Sequence, residues 1–99
     1  MYKIVLTKQA QKDAKQVEAS GLKEKVTEII QVVRKNPYED SQGFERLKYD
    51  FAGTCSRRIN RHQRFHYMVL PNTEELKDEK GVLYEGIIKV ISMWMHYRK

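Results

Sequence analysis

The chain has 99 residues, enough for one domain with one core. It lacks the run of about 18 apolar residues a membrane helix needs, and its single cysteine, Cys55, excludes an internal disulfide and fits a reducing cytoplasm. Nineteen Lys and Arg against thirteen Asp and Glu give a net charge of +6, which suits a polyanion or an acidic protein partner.

Tyr2 to Leu6 reads as a first strand and runs directly into helix-like sequence with no leader pattern. Thr7 is placed as a helix N-cap opening Lys8 to Glu18, with Ala10, Ala14 and Val17 on one face. Ser20-Gly21 breaks that pattern. Leu22, Val26, Ile29, Ile30 and Val33 then recur at helical spacing, the clearest amphipathic stripe in the chain. Asn36-Pro37 ends it, because proline cannot continue a helix and disfavours helical geometry before it. Tyr38 to Gly43 reads as loop.

The rest of the chain reads as strands: Glu45 to Lys48, Cys55 to Asn60, Gln63 to Leu70, and Val82 to Met95. Alternation predicts Phe65, Tyr67 and Val69 against the helices, with Arg64, His66 and Met68 on the opposite face. In the last strand it predicts Ile91, Met93 and Met95 inward and Ser92, Trp94 and His96 outward. Ser56 and Arg58 share the outer face. Arg57 shares parity with inward Ile59, an awkward place for a charge, and is assigned to the sheet's rim. Residues 71–81, with four acidic and two basic side chains, read as an exposed acidic insertion in a hairpin, mobile or forming one helical turn closed by Gly81. The β-α-α-β-β-β order predicts a single α+β domain over residues 1–99. Two N-terminal helices pack on one face of a mostly antiparallel sheet of four to five strands.

Charge gathers in one stretch. Phe44 to Tyr67 holds six basic residues (Arg46, Lys48, Arg57, Arg58, Arg61 and Arg64) and two acidic ones, hence +4 of the total +6. The guanidinium fork of arginine matches phosphate oxygens. At the other end, the last strand leads into His96 and Tyr97, an imidazole and a phenol suited to moving protons. The three histidines His62, His66 and His96 and the lone cysteine show no metal-ligand spacing, so neither a metal nor a cofactor is expected.

Glu45-Arg46-Leu47-Lys48, Ser56-Arg57-Arg58-Ile59, Arg64 before an aromatic strand and the closing His96-Tyr97 occur in this order and spacing. Together they resemble the YoeB/Txe branch of the RelE-type toxins of bacterial toxin–antitoxin modules, over Val26 to Tyr97. The resemblance implies a RelE-like, microbial RNase-type fold. It also implies a ribosome-dependent endoribonuclease that cuts messenger RNA in the ribosomal A site without metal, using the substrate's 2′-hydroxyl as nucleophile. In that reading Glu45 is general base, His96 general acid, Arg64 and Arg58 the partners of transition-state charge, and Tyr97 a group that orients the phosphate, stacks a base or helps transfer protons. Lys48, Arg58 and Arg57 bind substrate phosphate. The implied partners are the ribosome and messenger RNA, an acidic antitoxin of the YefM/Axe kind, and a second copy in a homodimer. Binding alone is the alternative, by a ParE-type toxin or by a generic RNA- or ribosome-binding module; neither needs Glu45, Arg64, His96 and Tyr97 together. Three residues depart from the family pattern: Cys55 replaces an aromatic residue and bears on base stacking or dimer packing, Arg46 replaces a proline, and His66 replaces an aliphatic residue. His66 reads as a second acid or base, or as a structural histidine.

Overall fold

The computed structural model describes residues 1–48 and 53–94. Strand β1 (Lys3–Leu6) is followed by helices α1 (Lys8–Ala19) and α2 (Lys23–Lys35), then by β2 (Glu45–Arg46), β3 (Thr54–Arg58), β4 (Arg64–Leu70) and β5 (Ile87–Ser92). These strands form one sheet in the order β1-β5-β4-β3-β2. Among the described residues β1 and β5 run parallel, and the other neighbouring strands are antiparallel.

The helices form where the periodicity puts them. The Thr7 hydroxyl accepts the Ala10 N–H at 3.0 Å and caps α1. Gly21 takes the left-handed turn between the helices, at φ +74°. Helix α2 stops at Lys35, with Asn36 as its C-cap before Pro37. Ala10, Val17, Val26, Ile29 and Val33 are buried from the helix side and meet Cys55, Phe65, Tyr67, Ile88, Val90 and Met93 from the sheet. Val69 packs against the same cluster, so the predicted facing of β4 holds.

The last strand differs from its prediction in two ways. First, it begins at Ile87, not near Val82. Leu83 instead forms an isolated antiparallel bridge with Lys77, and the Asn72 amide donates to the carbonyls of Leu76 and Tyr84, both at 3.0 Å. The chain re-enters the sheet through Gly86, where a side chain would lie 2.9 Å from the Leu70 carbonyl. Second, the register slips between His66 and Tyr67: His66 opposes Ser92 but Tyr67 opposes Val90. Ile91 is left unopposed as a β-bulge, which reverses the alternation. Ile88 and Val90 therefore face the helices, Ile91 is not in the core, and Met93 faces inward again as predicted. Trp94, predicted to face outward, packs against the core. Residues 71–81 are largely exposed and contain no helix. Asp78 shapes a turn there, its carboxylate accepting the N–H groups of Lys80 and Val82, with Gly81 at φ +81°.

Candidate active site

The sheet register brings distant residues together. Glu45 opposes Ser56, Ser56 opposes His66, and His66 opposes Ser92. Opposed residues share a face, so these four form a row across β2, β3, β4 and β5 on the face away from the helices. Arg58 and Arg64 are opposed one step along.

Arg64 anchors this row. Its Nε donates to Ser56 Oγ at 2.9 Å and its Nη2 to the Gly43 carbonyl at 2.6 Å. The same Nη2 lies 3.9 Å from Glu45 Oε2. Arg64 is thus held by two neutral acceptors, while Glu45 is exposed and, among the described residues, its ion pair is a long one. That arrangement presents a fixed cation beside a carboxylate open to an incoming group.

The opposite face of β3 explains why Arg64 is held so firmly. Arg57 is fully buried, not at the rim. Its Nε donates to the Tyr67 hydroxyl at 3.1 Å, Nη1 to the Ser41 carbonyl at 2.9 Å, and Nη2 to the carbonyls of Glu39 at 2.7 Å and Pro37 at 3.2 Å. The guanidinium also lies 4.9 Å from the Phe44 ring centroid. Tyr67 in turn donates to the Pro37 carbonyl, and burial pushes its phenol up to about 12. With every donor turned inward, Arg57 is no phosphate contact as the chain stands; it organises loop 36–44. Adjacent residues of a strand point to opposite faces, so the Arg57-Arg58 pair is split between loop and outer surface.

Loop 36–44 carries the residues that sequence reasoning missed. Gly43, at φ +67°, supplies the carbonyl that holds Arg64. A Cβ on Gly43 would lie 3.1 Å from the Arg58 Cβ, so exposed Arg58 packs over it. Tyr38 meets Phe44 edge to face at 6.5 Å, and Arg46 stacks on Tyr38 at 4.3 Å. Arg46 is therefore tied to the loop through its side chain. Lys48 is exposed just beyond Leu47, whose N–H donates to the Thr54 carbonyl at 3.0 Å.

His66 is half-buried, with Nε2 2.9 Å from Thr54 Oγ1, and burial lowers its pKa below the ordinary value. Cys55 opposes Tyr67 on the helix side and sits in the core, away from the face where a base would stack; burial pushes its thiol up. His96 and Tyr97 lie outside the described residues. Among the described residues no three His, Cys, Asp or Glu side chains converge as metal ligands, and no helix is long and apolar enough to cross a membrane.

Known proteins share this architecture. The Agrobacterium tumefaciens YoeB/ParE toxin superposes with a TM-score of 0.78 at 27% identity, covering 96% of this chain and 99% of that one. The Staphylococcus aureus YoeB dimer gives 0.73 at 27% identity over 97% and 98% of the two chains. A YoeB-YefM complex from the same organism gives 0.69 at 26% identity over 98% and 99%. A search of curated proteins finds no match. The family model for the YoeB-like toxin of bacterial type II toxin-antitoxin system matches residues 7–97, the span that includes Glu45, Arg64, His96 and Tyr97. The chain belongs to the YoeB-like toxins of bacterial type II toxin-antitoxin systems.

Proposed function

We propose that this toxin is an endoribonuclease that cuts messenger RNA in the ribosomal A site. The observation that carries the reading is the Arg64–Glu45 pair, with the cation fixed by Ser56 and Gly43 and the carboxylate exposed. Glu45 takes the proton of the 2′-hydroxyl, and that oxygen attacks the adjacent phosphorus. Arg64 stabilises charge building on the phosphoryl oxygens. The bond from phosphorus to the 5′-oxygen breaks, and that oxygen takes a proton from His96. The upstream fragment is left with a 2′,3′-cyclic phosphate and the downstream fragment with a 5′-hydroxyl. Tyr97 orients the phosphate, and Lys48 and Arg58 bind flanking phosphates. Arg57 is left out of this set because its donors serve the loop.

The toxin acts in the cytoplasm and is neutralised by an acidic antitoxin, a reading supported by the YoeB-YefM complex of a relative; the YoeB dimer of the same species supports a homodimer here. The test is to add purified protein to a translating extract and map messenger 5′-ends. Wild type should cut within translated codons, and Glu45→Gln and His96→Gln should bind ribosomes without cutting. Ribosome binding by wild type with no new 5′-ends would favour a toxin that acts by binding alone. A 3′-hydroxyl on the upstream fragment would overturn the 2′-hydroxyl mechanism.

A further inference from the structure

One buried charge takes no part in the row described above. Asp13 lies on the inner face of α1, between Ala10 and Val17, and is 4% exposed. Its Oδ2 accepts the backbone N–H of Met93 at 2.9 Å and of Trp94 at 3.4 Å, while Oδ1 accepts the Gln9 side-chain amide at 2.8 Å. The same helix start takes the strand's carbonyls. Thr7 donates its backbone N–H to Val90 O at 3.1 Å and its hydroxyl to Ile91 O at 2.8 Å. Backbone groups of Val90, Ile91, Met93 and Trp94 are therefore all held by α1 and its cap, spanning the bulge where β5 leaves the sheet.

A carboxylate is a costly choice for a helix stripe that otherwise carries Ala and Val, because burying the charge costs free energy that an apolar side chain does not. Two N–H groups at the strand end supply the reason, since each needs an acceptor once buried. The position of those groups matters because His96 lies just beyond them in the sequence. His96 follows Trp94 by two residues, at most about 7 Å of backbone. Ser92 and Glu45 stand three strand spacings apart in the row, roughly 14 Å. With so few residues between Trp94 and His96, the point at which the backbone is held bounds where the His96 side chain can reach.

We propose that Asp13 is a positioning residue for the nuclease chemistry: by clamping the backbone at Met93 and Trp94, it fixes the strand end that leads into His96 and Tyr97. The proposal rests on the nuclease reading for its kinetic consequence, and on the hydrogen bonds alone for its structural one.

The experiment compares Asp13→Ala, Asp13→Asn and Val17→Ala in the full chain. Val17→Ala also empties a buried site on α1 but removes none of the strand-end hydrogen bonds. Single-turnover cleavage on ribosomes should fall about 10- to 100-fold in Asp13→Ala, the scale of an ångström-sized misplacement. Half-saturating ribosome concentration should stay within about 3-fold, and Asp13→Asn, whose amide oxygen can still accept from Met93, should recover most of the rate. NMR should show the amides of Met93 and Trp94 and the His96 ring shifted in Asp13→Ala and unshifted in Val17→Ala. Wild-type cleavage by Asp13→Ala, or a loss no larger than that of Val17→Ala at matched thermal stability, overturns the proposal. If wild type does not cut RNA, the nuclease reading falls separately, and the NMR comparison decides the clamp: unshifted His96 and Trp94 signals refute it.

Discussion

Replacing Arg57 with Met tests whether the first arginine of the pair serves the loop or the substrate. The substitution keeps an apolar stem in the fully buried site and removes the guanidinium. Three carbonyls lose a charge-assisted donor, those of Pro37, Glu39 and Ser41. None is left bare: Tyr67 still donates to Pro37, the Ser41 N–H to Glu39 and the Phe44 N–H to Ser41. The loss is therefore of the bonds themselves, about 1.5–3 kcal/mol each, and not of a full desolvation penalty on orphaned groups. Against a gross loss of roughly 5–9 kcal/mol stands the relief of no longer burying a cation whose partners are neutral oxygens, worth several kcal/mol. The net expectation is a destabilisation of about 3 kcal/mol. For a domain of this size that lowers the midpoint by roughly 12–24 °C.

Thermal denaturation followed by circular dichroism measures this directly, and Arg57→Lys separates charge from geometry. A lysine keeps the charge but cannot place planar donors on three carbonyls at once, so it should recover only part of the loss. A phosphate-binding role makes the opposite prediction: Arg57→Met would leave the midpoint nearly unchanged and flatten the salt dependence of ribosome binding. A midpoint within about 3 °C of wild type would refute the reasoning, because bond loss and charge relief would then cancel.

Gly43→Ala should cost about 1–2 kcal/mol from the left-handed backbone alone, and the added Cβ, 3.1 Å from that of Arg58, should displace that side chain; denaturation and RNA binding measure the two effects. Arg58→Ala and Lys48→Ala should each reduce the slope of log affinity against log salt by roughly 0.7–0.9 for every phosphate no longer neutralised, measured by titrating RNA or ribosomes at several salt concentrations. His66 should make the fold sensitive to mild acid. Burial depresses its pKa below the ordinary 6.5, so the unfolded chain takes up the proton first as pH falls. The stabilising contribution is complete above pH 6.5 and is lost as pH drops through the lower folded value. The melting-point difference between pH values of about 7.5 and about 5 should therefore shrink in His66→Gln.

What the sequence conveyed and what it concealed divide along one line. Helices, their caps and the facing of β4 follow from local spacing, so Thr7, Val26 and Tyr67 are readable in place. The site row follows from strand order, which sets Glu45 opposite Ser56 and the Arg64 guanidinium 3.9 Å from Glu45. Three features depend on contacts far away in the chain. The bulge at Ile91 reverses β5, and its flanking groups bond to residues some 80 positions earlier, Thr7 and Asp13. Arg57 has an inward parity at odds with its charge, because its carbonyl acceptors lie 16 to 20 residues upstream in a loop with no periodic pattern. Asp13 interrupts an apolar stripe, and the reason lies at the strand end some 80 residues on, not in the helix itself. His96 and Tyr97 are legible as motif, and their placement lies outside the described residues.

Arg57 and Asp13 answer the same physical problem with opposite charges. Segments that leave regular structure expose backbone groups that apolar packing cannot satisfy. Loop 36–44 presents carbonyls, so its organiser must donate, and a planar guanidinium reaches three of them at once where an amide or ammonium would serve fewer. The end of β5 presents N–H groups, so its organiser must accept, and one carboxylate oxygen takes two. Both charges sit on the helix side of the sheet while the row they support lies on the other side. Bulk RNA therefore cannot compete for them, and high salt, which screens exposed cations such as Arg58, should leave them intact. It follows that salt should weaken binding of the toxin to RNA well before it disturbs the geometry of Arg64 or the strand end. In the toxin without RNA, chemical shifts of the Arg64 guanidinium and the Trp94 amide should then stay constant across the salt range that abolishes binding. Movement of either signal in step with the loss of affinity would show that the scaffold is not separate from the binding surface.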